Sequence, residues 1–422
     1  MKGNVSKAKG GGGGGGVTVA DGKVYVKDGS RNIELVQAYQ TYGVSIDLSN
    51  SNPETAVTYT DDAVGMVAGS PDWYKMSIFN KIKPCLFKNG AVVGYLNPDN
   101  FAQFADGTAA DISSGDSGDV MIEIPKTGYK ISKSGTTLTV QITDDPNKKG
   151  FSYKAHTRTE DGDREKLYIG AFLGSNKDEK LRSISGVTPL YEKTIGEFRT
   201  LAQKNGAGYD LLSFYPLTLL QCLYLIMYKN LNSQAALGCG RIQYTSYFQK
   251  DTGATIEKGM CYGSEPYVEE YEDDEGTSTV WVAEQMKFLG IEDFWGHLCQ
   301  FIDGLVGTND YHALVATDNF NDKYEGYTDL GELSTQAIFG GYMKEPQGTN
   351  EIGFIVKELG GSTTTYFADP CHFGNPYIES GSDFISVFGG CWAYSNAGAF
   401  RLEVSEPPLI SGAYYGSRLM YL

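Results

Sequence analysis

The sequence predicts an α+β fold, with a β-rich N-terminal region followed by a C-terminal half that mixes helices and short strands. Three observations carry this expectation. Residues 17–150 hold alternating apolar and polar runs joined by turn signals, with a short helix expected only at Pro98–Phe104. The C-terminal half contains a capping box, Thr194-Ile-Gly-Glu197, and a strongly apolar run opened by Pro216. The 422 residues include 53 glycines and 29 tyrosines, a composition that calls for many turns and for strand or recognition surfaces.

The first sixteen residues, MKGNVSKAKGGGGGGG, end in seven glycines and read as a flexible tether (1–16). They lack an apolar core, so no signal peptide is expected. In the β-rich region, 17–150, Cys85–Leu96 places Asn89-Gly90 between two apolar runs, the signature of a type I′ hairpin. Gly118–Lys126 and Gly135–Thr143 read as strands, and Thr143–Gly150 as a turn or boundary. The second region, 151–422, opens with a strand at Lys166–Ser175. The capping box then starts a helix through Phe198, Leu201 and Ala202 to Gly206. Leu211–Tyr228 is the most apolar stretch. Pro216 starts a helix within it, and Leu217–Tyr228 is too short to cross a bilayer, so a buried core helix is expected and no membrane insertion. Gly290–Leu305 carries Ile291, Phe294, Trp295, Leu298, Phe301 and Ile302 on a helical period. A turn flanking a strand is the alternative. The acidic run Glu269–Gly276 lacks the spacing of a calcium loop and reads as a solvated insertion.

Charge and motif content narrow the function classes. Thirty-five basic and 52 acidic residues give a net charge of −17, which repels phosphate backbones and argues against a nucleic-acid partner. Seven cysteines without a C-x-x-C pair argue against a zinc cage or redox motif, and no metal or cofactor is expected. His156, His297, His312 and His372 are isolated along the chain, and no nucleophile elbow, P-loop or H-E-x-x-H motif occurs. Paired carboxylates are abundant, so a glycan hydrolase remains as a lesser alternative.

Three stretches, Leu181–Pro189 with the segment from Thr194 to Gly240, then GIEDFWGHLCQFIDG, then GGCWAYSNAGAFRL with GAYYGSRLMYL, share a pattern. Together they resemble the C-type-lectin-like proteins of phage tails. That group includes the variable proteins of diversity-generating retroelements and is related in fold to formylglycine-generating enzymes. Tyr42–Met66 also resembles phage tail proteins, less specifically. The resemblance implies a C-type-lectin-like domain over 151–422, a rigid terminal binding face and a homotrimer on a tail tip. It further implies a virion location, other tail proteins as neighbours, and a host cell-surface protein or glycan as ligand. Catalysis in the related oxidases needs a cysteine pair a few residues apart near the C-terminus. Cys391 has no second cysteine after it, so a non-enzymatic binding protein is expected, with a purely structural tail protein as the alternative.

Within the terminal segment, strand alternation places Phe400, Leu402 and Val404 inward, and Trp392 is expected as an anchor beneath the loop. Facing outward as ligand-binding candidates would be Cys391, Ala393, Tyr394, Ser395, Asn396, Ala399, Arg401, Glu403, Ser411, Ala413, Tyr414 and Tyr415. Gly389, Gly390 and Gly398 would permit tight turns, with Gly416 as further structural support. The resemblance gives Arg418 a structural role, donating to backbone carbonyls.

Overall fold

The structure is a computed structural model that describes residues 17–20, 23–28, 31–35, 39–158, 162–242, 250–263, 267–273, 276–282, 284–333, 337–375, 383–393 and 396–422. The glycine tether lies outside these residues. The chain divides into two compact units, Met1–Gln40 and Thr41–Leu422. The first contains a three-stranded antiparallel sheet of Val17–Ala20, Lys23–Asp28 and Arg31–Leu35. Residue 150, where the sequence places a domain boundary, falls inside the second unit.

Strand occupies 38% of the chain and helix 12%. The expected α+β class, with its mixed lectin-like C-terminal half, is therefore corrected: the molecule is predominantly sheet. Two segments read as helix account for part of the difference. Pro98–Phe104 supplies a strand, Asn100–Phe104. In Gly290–Leu305 the backbone turns at Asp293, Gly296 and His297, all with positive φ, and then extends as the strand Cys299–Gly307. A helix cannot pass through three left-handed residues, so the aromatic spacing there reflects burial on both sides of a turn and strand.

Among the described residues, three large sheets form the frame of the second unit, alongside four two-stranded ones. A four-stranded sheet has the order Gly128–Ser134, Thr137–Thr143, Thr41–Asp47, Val57–Asp61. The predicted hairpin forms from Lys83–Lys88 and Ala91–Asn97, with Asn89 at φ 51° and Gly90 at φ 79°, as a type I′ turn requires. It joins a seven-stranded sheet together with Asn100–Phe104, Asp119–Pro125, Lys166–Gly170, Tyr209–Leu211 and Leu419–Tyr421. That sheet draws strands from both sides of residue 150. The strand Leu419–Tyr421 lies inside it, between Tyr209–Leu211 and Lys166–Gly170. A nine-stranded sheet is centred on Cys299–Gly307, Phe384–Phe388 and Leu402–Glu406.

Helix α1, Ile195–Gln203, starts at the predicted capping box. The Glu197 N–H donates to Thr194 Oγ1 at 3.3 Å and the Thr194 N–H donates to Glu197 Oε2 at 2.8 Å. Helix α2, Phe214–Tyr228, is buried along its whole length. It is apolar all round because it packs against the four-stranded sheet on one side and the strand Cys299–Gly307 on another. Tyr224 on α2 anchors an aromatic cluster with Trp295, Phe288 and Phe400, each with ring centroids 5.9 Å away. Helix α3 is the short segment Ser233–Leu237, capped by the Asn232 side chain. The described residues of the acidic run lie in the paired strands Tyr267–Asp273 and Gly276–Val282, while residues 274–275 lie outside the described residues.

Candidate functional site

The terminal segment leaves the sheet at Phe388 and returns to it at Leu402, and the loop between them is pinned at its neck. The Gly389 N–H donates to the Arg401 carbonyl at 2.9 Å, and the Gly296 N–H donates to the Gly389 carbonyl at 3.1 Å. Gly389 and Gly390 have φ of 89° and 77°. A Cβ on Gly390 would stand 2.9 Å from the Asn396 carbonyl, so the turn needs glycine for both conformation and space.

Beneath the loop sits a buried polar framework. Arg418 is fully buried. Its Nε donates to Gln300 Oε1 at 2.9 Å, its Nη1 to the Gly170 carbonyl at 2.9 Å, and its Nη2 to the carbonyls of Glu292 and Asp293 at 2.7 and 2.9 Å. Burial lowers the arginine to about 10, still well above neutral pH. The guanidinium thus ties together the first strand of the C-terminal half, the Glu292–Asp293 turn and the terminal strand. Asp369 is the second fixed point. Its Oδ2 accepts from the Phe400 N–H at 2.8 Å and from Ser233 Oγ at 3.4 Å. Burial pushes this carboxyl up to about 8. A Cβ on Gly398 would fall 2.0 Å from Asp369 Oδ1, so glycine is obligatory there. His297 bonds Asp293 Oδ2 through Nδ1 at 2.7 Å and accepts from the Lys250 N–H at 3.2 Å, while its carbonyl accepts from the Trp392 N–H at 3.1 Å.

The structure sorts the twelve outward candidates into three groups. Tyr414 and Ser411 are exposed, and Ala393, Asn396, Glu403, Ala413 and Tyr415 are half-buried. Tyr394 and Ser395 lie outside the described residues. Cys391, Ala399 and Arg401 are buried, contrary to expectation. The strand begins only at Leu402, so alternation does not extend back to Ala399 and Arg401. Residues 397–401 instead fold under the surface. The Ala399 N–H donates to Ser233 Oγ at 2.9 Å, and the Ala399 carbonyl accepts from Gln221 Nε2 at 2.8 Å. Arg401 lies beneath the loop, donating from Nε and Nη2 to Glu403 Oε1 at 2.9 and 2.7 Å and from Nη1 to the Asn396 carbonyl. The inward residues Phe400, Leu402 and Val404 are buried as predicted.

The reading of Cys391 as a cysteine without a partner is also corrected. Buried Cys391 lies within electrostatic reach of Cys299, the first residue of the strand Cys299–Gly307. Interaction with Cys299, aided by the Ala393 N–H, holds the Cys391 thiol below its ordinary range against the effect of burial, and the same interaction together with burial pushes Cys299 up. Both sulfurs are enclosed. No short-range sequence spacing could reveal this pair, because it joins a loop to a strand that lies about ninety residues earlier in the chain.

What remains at the surface is an aromatic patch. Trp392, expected as a buried anchor, is half-buried, and its ring lies 5.2 Å from that of Tyr414. Tyr415 stacks on Phe301 at 5.5 Å with planes 16° apart, so one of its faces is used internally. Ala393 and Ile410 pack beside Tyr415 on the core around Cys391 and Phe301. Leu409, which sequence reasoning missed, is 84% exposed in the loop that leads to Tyr414, and Tyr414 is 41% exposed. The Pro407-Pro408 pair before Leu409 was the available signal for a stiff projecting loop. Tyr342, from a separate strand, accepts from the Asn396 amide and fixes the far end of the loop. Among the described residues no group of three or more metal-ligating side chains occurs. No protein-family model and no curated protein matches the chain.

Proposed function

We propose that the chain is a receptor-binding protein of a phage tail, using its C-terminal surface for non-covalent binding to a host cell-surface protein or glycan. The observation that carries this reading is the contrast between the patch and its foundation. Leu409 and Tyr414 stand in solvent, while the backbone below them is fixed by Arg418, Asp369 and glycines that tolerate no side chain. A preformed loop loses little entropy on binding, so its exposed aromatic and aliphatic groups can contribute directly to affinity. The resemblance of the same segments to phage tail proteins supplies the biological setting, with assembly as a homotrimer and attachment to other tail proteins through the N-terminal region.

The test is binding of the purified chain to a panel of intact bacteria, measured by flow cytometry, for wild type and for the double variant Leu409→Ser, Tyr414→Ala. Neither side chain belongs to the buried framework, so the thermal transition should stay in place. Binding to the recognised strain should fall roughly tenfold, the loss typical of one hot-spot side chain. Unchanged binding by the folded variant would remove the assigned face and favour a structural tail protein.

A further inference from the structure

A separate cleft of about 810 Å³ opens where the end of α2, helix α3 and the turn at Asp99 meet. Its volume is in the range of small-molecule sites. The floor is made of Tyr74, Tyr228 and Cys261. Cys261 alone of the seven cysteines is not buried, and its sulfur accepts from the Leu289 N–H at 3.3 Å. Burial pushes all three groups up, so the floor is neutral and bears O–H and S–H groups. Tyr228 stacks on Tyr224 at 5.4 Å, and Gly69 approaches its ring so closely that a Cβ there would sit 3.1 Å away.

Charge gathers at the rim. Glu54, Asp99 and Lys229 line the cleft, and no ion pair engages any of them among the described residues. Glu54 and Asp99 form hydrogen bonds through backbone groups, which leaves both carboxylates to the solvent. Two carboxylates against one ammonium favour a cationic ligand over a phosphate, in keeping with the chain's charge of −17. The carboxylates, the neutral floor and the Asn230 amide offer hydrogen-bond partners for several hydroxyls.

We infer that this cleft is a second ligand site, distinct from the C-terminal face, that takes a hydroxyl-rich amine of the amino-sugar class. Glu54 and Asp99 hold the ammonium, and Tyr228, Cys261 and the Asn230 amide receive sugar hydroxyls.

The probes are the β-1,4-linked disaccharides of glucosamine, N-acetylglucosamine and glucose, titrated calorimetrically into the full chain. The glucosamine disaccharide should bind roughly fivefold more tightly than the other two, the size expected of exposed charge pairs. It should also slow the reaction of Cys261 with a thiol reagent. The double variant Glu54→Gln, Asp99→Asn should lose the preference and keep its fold, because neither carboxylate makes an internal contact. The Leu409→Ser, Tyr414→Ala variant should bind the disaccharide as wild type does, which separates this site from the terminal face. Absence of both a binding isotherm and protection of Cys261 would overturn the inference. So would a preference for the amine that survives Glu54→Gln, Asp99→Asn.

Discussion

Asp369 shows how a single buried carboxyl sets a pH dependence. Its folded-state value of about 8 lies far above that of an unfolded aspartate, because burial disfavours the charged form. Its contribution to stability is therefore fully present below pH 4 and is lost as pH rises towards and through 8, since the unfolded chain releases the proton first. Asp369→Asn, which keeps the neutral shape, should flatten the decline of urea-derived stability between pH 4 and 8 relative to wild type. An identical slope in the two proteins would show that the carboxyl is ionised in the fold. At this scale the sequence was legible where chemistry leaves one option. Gly389, Gly390 and Arg418 do what their residue types imply. It was illegible for Arg401 and Ala399, whose direction depends on where the strand begins, and for Cys391, whose partner comes from a distant strand.

Elements were readable where a local rule decides them. The Asn89-Gly90 hairpin, the capped helix α1 and the apolar helix α2 all form where periodicity and turn chemistry place them. Gly290–Leu305 misleads because aromatic burial on a helical period can also arise from a turn followed by a doubly covered strand. Gly296, with its positive φ, was the residue that argued against the helix. For α1 the capping box is a separable contribution. Thr194→Ala removes the acceptor for the Glu197 N–H and should cost about 1 kcal/mol, read as a lower denaturant midpoint with an unchanged slope. Retention of the wild-type midpoint would mean that tertiary packing alone holds the first turn.

For the whole molecule, the order of strands decides the architecture, and that order has no local signature. Nothing in residues 83–125 announces that they share a sheet with residues 419–421. The α+β expectation failed for the same reason: short strands separated by long connections reveal themselves only when paired. Deleting residues 419–422 should unfold the second unit cooperatively rather than fray one end, because it removes the partner of two strands at once and exposes both of their edges. Circular dichroism and a thermal scan of the truncated chain would check this, and a retained sharp transition would refute it.

That inserted strand also sets a clock. Lys166–Gly170 and Tyr209–Leu211 leave the ribosome long before the segment that must lie between them. At roughly 5–20 residues per second, the roughly two hundred intervening residues take on the order of tens of seconds to synthesise. Throughout that interval two strand edges wait unpaired. Slower translation or a higher concentration of nascent chains lengthens their exposure to one another, so the yield of soluble protein depends on the pace of synthesis as well as on the stability of the finished fold.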